Sequence, residues 1–209
     1  MIEERTNGST GTPLLRQRSS HHDTMDSTDL QLLANKKHDL LHAAQEARKL
    51  SYSPYSKFRV GAALLTKWGE IILGANYENA SYGGTVCAER TALAKALIRS
   101  DQLDVSEQSS ARKIQRGDII AVAVASDLEG SCSPCGICRQ VIREHCSLNA
   151  RILMVGCNWS KASAAQTIQG TVEDQGGKEL NEANVEVVTL EYLLPMSFGP
   201  EDLDKPRHS

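Results

Sequence analysis

Thr85-Val86-Cys87-Ala88-Glu89-Arg90 and, further along the chain, Ser133-Pro134-Cys135-Gly136-Ile137-Cys138 carry the densest chemistry in the sequence. Together they supply three thiols and a carboxylate. Three cysteines can hold a zinc ion and leave its fourth tetrahedral position open, which is the arrangement of a catalytic rather than a structural site. Glu89, two residues after Cys87, is placed to move protons to and from a water held at that position. Pro134 favours the first position of a helix with Ser133 as its cap, so Cys135 and Cys138 are expected at a helix start. Cys87 is expected at another. Unpaired N–H groups and the positive dipole end at such places favour thiolate over thiol. Three thiolates around Zn²⁺ sum to a net negative charge, and Arg90 is the neighbour expected to offset it by hydrogen bonding to sulfur.

Outward from these motifs the chain alternates helices and strands. A helix is expected from a cap at Ser27 or Thr28 to Leu50, with Leu30, Leu33, Leu40, Leu41, Ala44 and Ala47 at helical spacing. Ser53-Pro54 ends it. The loop Tyr52–Phe58 holds three aromatics in a chain with only 4% of them. It reads either as a loop tucked onto the core or as a wall for a flat ligand. Residues 59–66 and 70–75 form a hairpin around Trp68-Gly69, followed by the polar strand end Asn76–Asn79. A helix is expected from Cys87 to Ser100, then a buried strand over 119–125, a helix to Cys146, strands over 151–157 and 185–190, and a helical turn that stops at Pro195. A hairpin followed by alternating helices and strands makes a layered α/β domain with a mixed sheet. Residues 1–27 are too polar to offset ordering entropy and read as a disordered tail. Residues 28–209 form the domain, with polar insertions near 101–117 and 158–184.

Of 209 residues, 40% are hydrophobic and 23% charged, with a net charge of -3, which suits one globular domain. No basic stripe is present to support tight polynucleotide binding. No run is long and apolar enough to span a membrane. The polar N-terminus carries no secretory pattern, so a cytoplasmic, reducing location is expected. Six cysteines there are metal ligands or free thiols rather than disulfides. Cys132-Ser133-Pro134-Cys135 is a second C-x-x-C pair, so a structural zinc with Cys132 as fourth ligand competes with the catalytic reading. A redox C-x-x-C competes too, but leaves Cys87 and Glu89 without a role. Cys146 and Cys157 read as buried apolar thiols.

The Cys-Ala-Glu and Pro-Cys-Gly-Ile-Cys blocks resemble the known signature of zinc nucleoside deaminases, in which a Cys can stand for the first His. Cysteine at position 87 is similar to the homotetrameric cytidine deaminases. Five blocks in order carry the resemblance: Tyr52–Phe58, Asn76–Tyr82, Cys87–Ala92, Pro134–Gln140 and Leu194–Leu203. The resemblance implies a three-layer α/β/α fold with a mixed five-stranded sheet. It implies one zinc per subunit on Cys87, Cys135 and Cys138, with Glu89 as the proton shuttle. Asn76 and Glu78 would bind the ribose 3′-hydroxyl, Phe58 would stack near the base, and backbone groups around Ala88 would read the base edge. Tyr82 and Phe198 would reach a neighbouring subunit's pocket in a homotetramer, and Arg90 would temper the thiolate charge. The implied activity is hydrolysis of cytidine and deoxycytidine to uridine, deoxyuridine and ammonia, in pyrimidine salvage. A deaminase of a nucleotide, an antibiotic nucleoside or RNA is the alternative, as is a non-catalytic zinc-binding interaction protein.

Overall fold

The computed structural model describes residues 25–98, 112–161 and 184–207. The expected tail up to Thr24 and the greater part of both expected insertions lie outside the described residues. The elements are α1 (Ser27–Arg48), β1 (Val60–Thr66), β2 (Ile71–Ala75), α2 (Ala88–Ile98), β3 (Ile119–Ser126), α3 (Gly136–His145), β4 (Arg151–Val155), β5 (Val185–Thr189), α4 (Leu190–Leu193) and α5 (Pro200–Leu203). The sheet has five strands in the order β2-β1-β3-β4-β5. β3 and β4 run parallel, and the other neighbours antiparallel. The mixed five-stranded sheet is as the sequence implied.

Strand alternation sends residues to two faces. Ala63, Leu65, Ala121, Ala123, Ala125, Leu153 and Val155 pack with Leu33, Leu40, Leu41 and Ala44 of α1 on one face. Ala62, Leu64, Val122, Val124, Ile152 and Met154 pack with Ala92, Leu93 and Ala96 of α2 and Ile142 of α3 on the other. β3 is buried along its whole length, as its unbroken apolar run requires. The result is three layers, with α1 the one helix on its side of the sheet among the described residues.

Helix starts depart from expectation. The cap of α1 is Asp26, whose side chain accepts from Asp29 N, rather than Ser27 or Thr28. An ionised carboxylate is the stronger acceptor and suits the positive helix end. The cap of α3 is Cys135, not Ser133. Pro134 lies just outside the helix. The turn Pro200–Leu203 was not expected; Gly199 N donates to Asp202 Oδ2 at 2.8 Å and closes its first turn.

Topology brings two helix starts to one end of the sheet. α2 follows the C-terminal end of β2, and α3 follows the C-terminal end of β3. α2 lies unusually close to the sheet, because its inner stripe is Ala88, Ala92 and Ala96 and the strand beneath carries Gly74. A Cβ at Gly74 would meet Ala92 N at 2.3 Å and Ala88 O at 2.5 Å. Gly74→Ala is therefore expected to push α2 outward at a cost of about 1–3 kcal/mol. At this chain length that is about 2–4 °C of melting temperature per kcal/mol. Glu89 should shift with the helix, since α2 carries it. An unchanged melting curve would contradict the close approach.

Candidate active site

Cys87 and Cys135 occupy equivalent places. The carbonyl of Cys87 accepts from Thr91 N at 3.0 Å, and that of Cys135 from Arg139 N at 2.9 Å, so each residue closes the first turn of its helix. The Cys135 side chain makes no capping bond. Its sulfur lies 3.9 Å from that of Cys87. Cys138, in the first turn of α3, is fully buried. The three sulfurs lie within 4.8 Å of one another and form the one group of ligating side chains suited to a metal among the described residues. Zn–S bonds of about 2.3 Å at tetrahedral angles place sulfurs about 3.8 Å apart, so the donor set fits zinc in kind, number and spacing. Cys132 is not in the cluster. All six cysteines are free of disulfides.

The cluster stabilises negative sulfur. The Cys138 thiol, donating to Cys87, lowers the Cys87 pKa to about 5; Arg90 and Cys135 add to this, and burial opposes it. Cys138 is pushed up in turn, as the donor of that pair and by burial. Arg90 NH2 lies 3.8 Å from the Cys87 sulfur and 3.1 Å from Thr85 O. A metal would displace the remaining thiol protons, since only the deprotonated sulfur ligates.

Glu89 sits in the first turn of α2 and is 3% exposed. Burial raises its carboxyl pKa and the Cys87 sulfur adds to the rise; its own amide, the Cys138 thiol and Arg90 work against it. A buried carboxyl close to the Cys87 and Cys138 sulfurs is the kind of group that is concentrated where protons are transferred.

Asn76 and Glu78 are both buried, and their polar atoms are largely committed within the chain. Asn76 Oδ1 accepts from Ser51 Oγ at 2.6 Å and Val60 N at 2.8 Å, while Nδ2 donates to Phe58 O at 3.0 Å. One amide hydrogen is left for a ligand. Glu78 accepts from Tyr55 N at 2.9 Å, Ser56 N at 3.2 Å and the Ser56 hydroxyl. The Ser56 bond, then the two amides, hold this carboxyl below its usual range. The pair thus shapes the Tyr52–Phe58 loop from below. Ala88 is fully buried beside Cys87 and Glu89. Phe58 is half-buried, whereas Tyr52 and Tyr55 are 59% and 48% exposed, so the loop is not tucked onto the core. Tyr82 and Phe198 face solvent at 62% and 59%. The Tyr82 ring is 6.0 Å from that of Tyr55, and Gln140 Nε2 donates to Phe198 O at 3.0 Å.

Two supports escaped the sequence reading. Arg139 donates to Pro134 O at 2.7 Å, Ser133 Oγ at 2.8 Å and Leu193 O at 2.8 Å, which fixes the turn carrying Cys135. Its position directly after Cys138 was the available signal. Arg143 is buried under the C-terminal arm, with Nε on Ser197 Oγ at 3.0 Å and NH2 paired with Glu201. Nothing local in the sequence marks it.

A three-layer α/β/α domain whose two central helix starts converge on three thiols and a buried carboxylate defines a zinc-dependent hydrolytic class of site. Residues 34–152 match the family described as the cytidine and deoxycytidylate deaminase zinc-binding region. The chain is 37% identical over 165 residues to a cytidine deaminase of Halalkalibacterium halodurans, covering 79% of this chain and 96% of the relative. It is 38% identical over 164 residues to one from Sporosarcina psychrophila, covering 78% and 92%. The crystal structure of a cytidine deaminase from Burkholderia pseudomallei shares its fold with a TM-score of 0.56 at 35% identity, covering 77% of this chain and 98% of that one. The chain belongs to the zinc-binding cytidine and deoxycytidylate deaminase family, and its domain is a zinc-binding, enzymatic one. No helix among the described residues is long and apolar enough to cross a membrane.

Proposed function

We propose that the protein hydrolyses cytidine and deoxycytidine at C4, taking up water and yielding uridine or deoxyuridine and ammonia. The observation that carries this is the buried Glu89 carboxyl, two residues along the chain from Cys87 of the three-sulfur cluster. Cys87, Cys135 and Cys138 hold the zinc. Zinc, when bound, supplies Lewis acidity that lowers the pKa of a coordinated water from 15.7 towards about 7. Glu89 takes a proton from the attacking water, delivers it to N3 of the base, and carries the next to the departing amine. One carboxylate can serve as base and then acid, and the burial that raises its pKa favours the acid role. Arg90 offsets part of the sulfur charge. Asn76 and Glu78 offer their remaining valences to the sugar, Phe58 flanks the base, and the backbone at Ala88 reads its edge.

Cys135, Tyr82 and Phe198 are exposed in the single chain. A site that needs water excluded supports assembly of several copies, each covering another's pocket, and we read the working form as a homotetramer. A single-chain mass by sedimentation would remove that reading. The separation of Cys132 from the cluster disfavours a four-thiolate structural zinc, which would close the site.

The test is ammonia release by zinc-loaded protein from cytidine, deoxycytidine and cytidylate. Turnover of both nucleosides with cytidylate at least about tenfold poorer, a difference of about 1.4 kcal/mol in transition-state binding, is the expected result. Preference for cytidylate would move the substrate to a nucleotide, and no turnover of any of the three would overturn the reading.

A further inference from the structure

Val60 pairs with Ser126 at the end of the β1–β3 ladder. The next two residues outward, Arg59 and Asp127, continue that pairing through side chains. Asp127 Oδ2 accepts from Arg59 N at 3.0 Å and from Arg59 Nε at 3.1 Å, and Oδ1 accepts from Arg59 NH2 at 2.9 Å. A carboxylate that takes both prongs of a guanidinium and the backbone amide of the same residue fixes that residue's orientation more firmly than a simple surface ion pair. Arg48 closes the back of the pair. It is 13% exposed, its NH1 stands 3.6 Å from Asp127 Oδ1, and it also donates to Ser126 O.

Immediately before Arg59 lies a segment under tension. Lys57 has φ 59°, in the left-handed region that a residue with a Cβ rarely adopts. Such a conformation persists only where its surroundings hold it. Glu78 grips the chain on one side of Lys57, at Tyr55 and Ser56. On the other side, Phe58 N donates to Ser56 Oγ at 3.0 Å, and Phe58 O accepts from Asn76 Nδ2 at 3.0 Å. Asp127 is the next anchor along. It also begins the segment leading from β3 to Pro134 and Cys135, whose far side is fastened by Cys157 N donating to Leu128 O at 2.8 Å.

We infer that Asp127, through Arg59, is a positioning residue that holds Phe58 at the edge of the pocket and so sets substrate affinity. The inference rests on the nucleoside reading, in which Phe58 flanks the base. Neither Asp127 nor Arg59 touches the sulfur cluster or the reacting atoms, so its loss should act on KM and not on the chemical step.

The test compares Arg59→Ala, Asp127→Asn and Arg59→Lys with the wild type, each zinc-loaded. Steady-state kinetics on cytidine and hydrogen exchange of the peptide covering residues 52–60 are both measured. For Arg59→Ala and Asp127→Asn, KM should rise about tenfold, the effect of one charge-assisted hydrogen bond. Turnover number and zinc content should stay near wild type, while exchange over 52–60 becomes faster. Arg59→Lys, which keeps a charge within reach, should recover part of the KM. An unchanged KM would overturn the inference even if the melting temperature falls, since that is a purely structural tie. A fall in turnover number at constant KM would overturn it too. If the wild type itself releases no ammonia, the substrate reading fails by itself; exchange over 52–60 then decides, and exchange that is unchanged in both variants overturns the positioning role.

Discussion

Glu89→Gln is expected to keep one zinc per chain, fold normally, and lose turnover of cytidine by about 10²–10⁴-fold, the range that a general acid–base supplies. The amide matches the carboxylate in shape, and the position is 3% exposed, so little repacking is needed. Stability should hold or rise, because the native state ceases to bear a buried acid whose pKa burial has raised. What is lost is the capacity to take a proton from water and return it to N3 and the leaving amine. KM should change far less than the turnover number, since both forms can hydrogen-bond the ground-state base. Zinc analysis, a thermal melt and ammonia release on one preparation separate the possibilities. Near-normal turnover with zinc retained would remove Glu89 from the mechanism; loss of zinc along with turnover would show that it helps to hold the metal.

How far the sequence could be read depends on the range of the interaction. Ile119–Ser126 announces a doubly buried strand because burial of both faces leaves no polar position, and it is buried throughout. Leu33, Leu40, Leu41 and Ala44 mark the inner face of α1 for the same local reason. Cys87, Cys135 and Cys138 were legible because metal ligation needs fixed residue types in recognisable spacing, and the three meet as one cluster. Helix starts were less legible, since Asp26, Ser27 and Thr28 are all competent caps and only the geometry of the entering chain selects one. At α3 the expected Ser133 cap yielded to Cys135, with Pro134 outside the helix and the Cys135 sulfur directed to the cluster instead of to its own backbone. Long-range polar ties had no signature. Arg59 with Asp127 and Arg143 with Glu201 read as ordinary surface charges along the chain. Arg143 is 2% exposed nonetheless, because the C-terminal arm folds back over α3. Asn76 and Glu78 were singled out as sugar ligands, yet the structure first shows them holding the aromatic loop. A residue that shapes a pocket and a residue that binds in it look alike in one dimension.

Cys135→Ala and Cys132→Ala form the second decisive pair, because both sit in C-x-x-C spacing and only one lies in the cluster. Cys135→Ala removes one of three sulfurs and leaves two, one of them fully buried. Zinc affinity should fall by more than the 10–100-fold typical of losing an outer partner of a ligand, and cytidine turnover should fall to background. Stability should follow the metal: a ligand that binds only the folded chain contributes about 2.7 kcal/mol at a hundredfold excess over its dissociation constant. The melting temperature of the zinc-loaded wild type should therefore exceed that of Cys135→Ala, and a chelator should bring the two together. Cys132→Ala should keep both zinc and turnover, because Cys132 lies in the turn before the helix while Cys135 closes its first turn. The reverse pattern would mean that the segment 131–134 rearranges around the metal and that Cys132 is the ligand. Loss of zinc in both variants would mean four thiolates, a closed coordination sphere and no position for water, which would end the catalytic reading whatever the family does elsewhere.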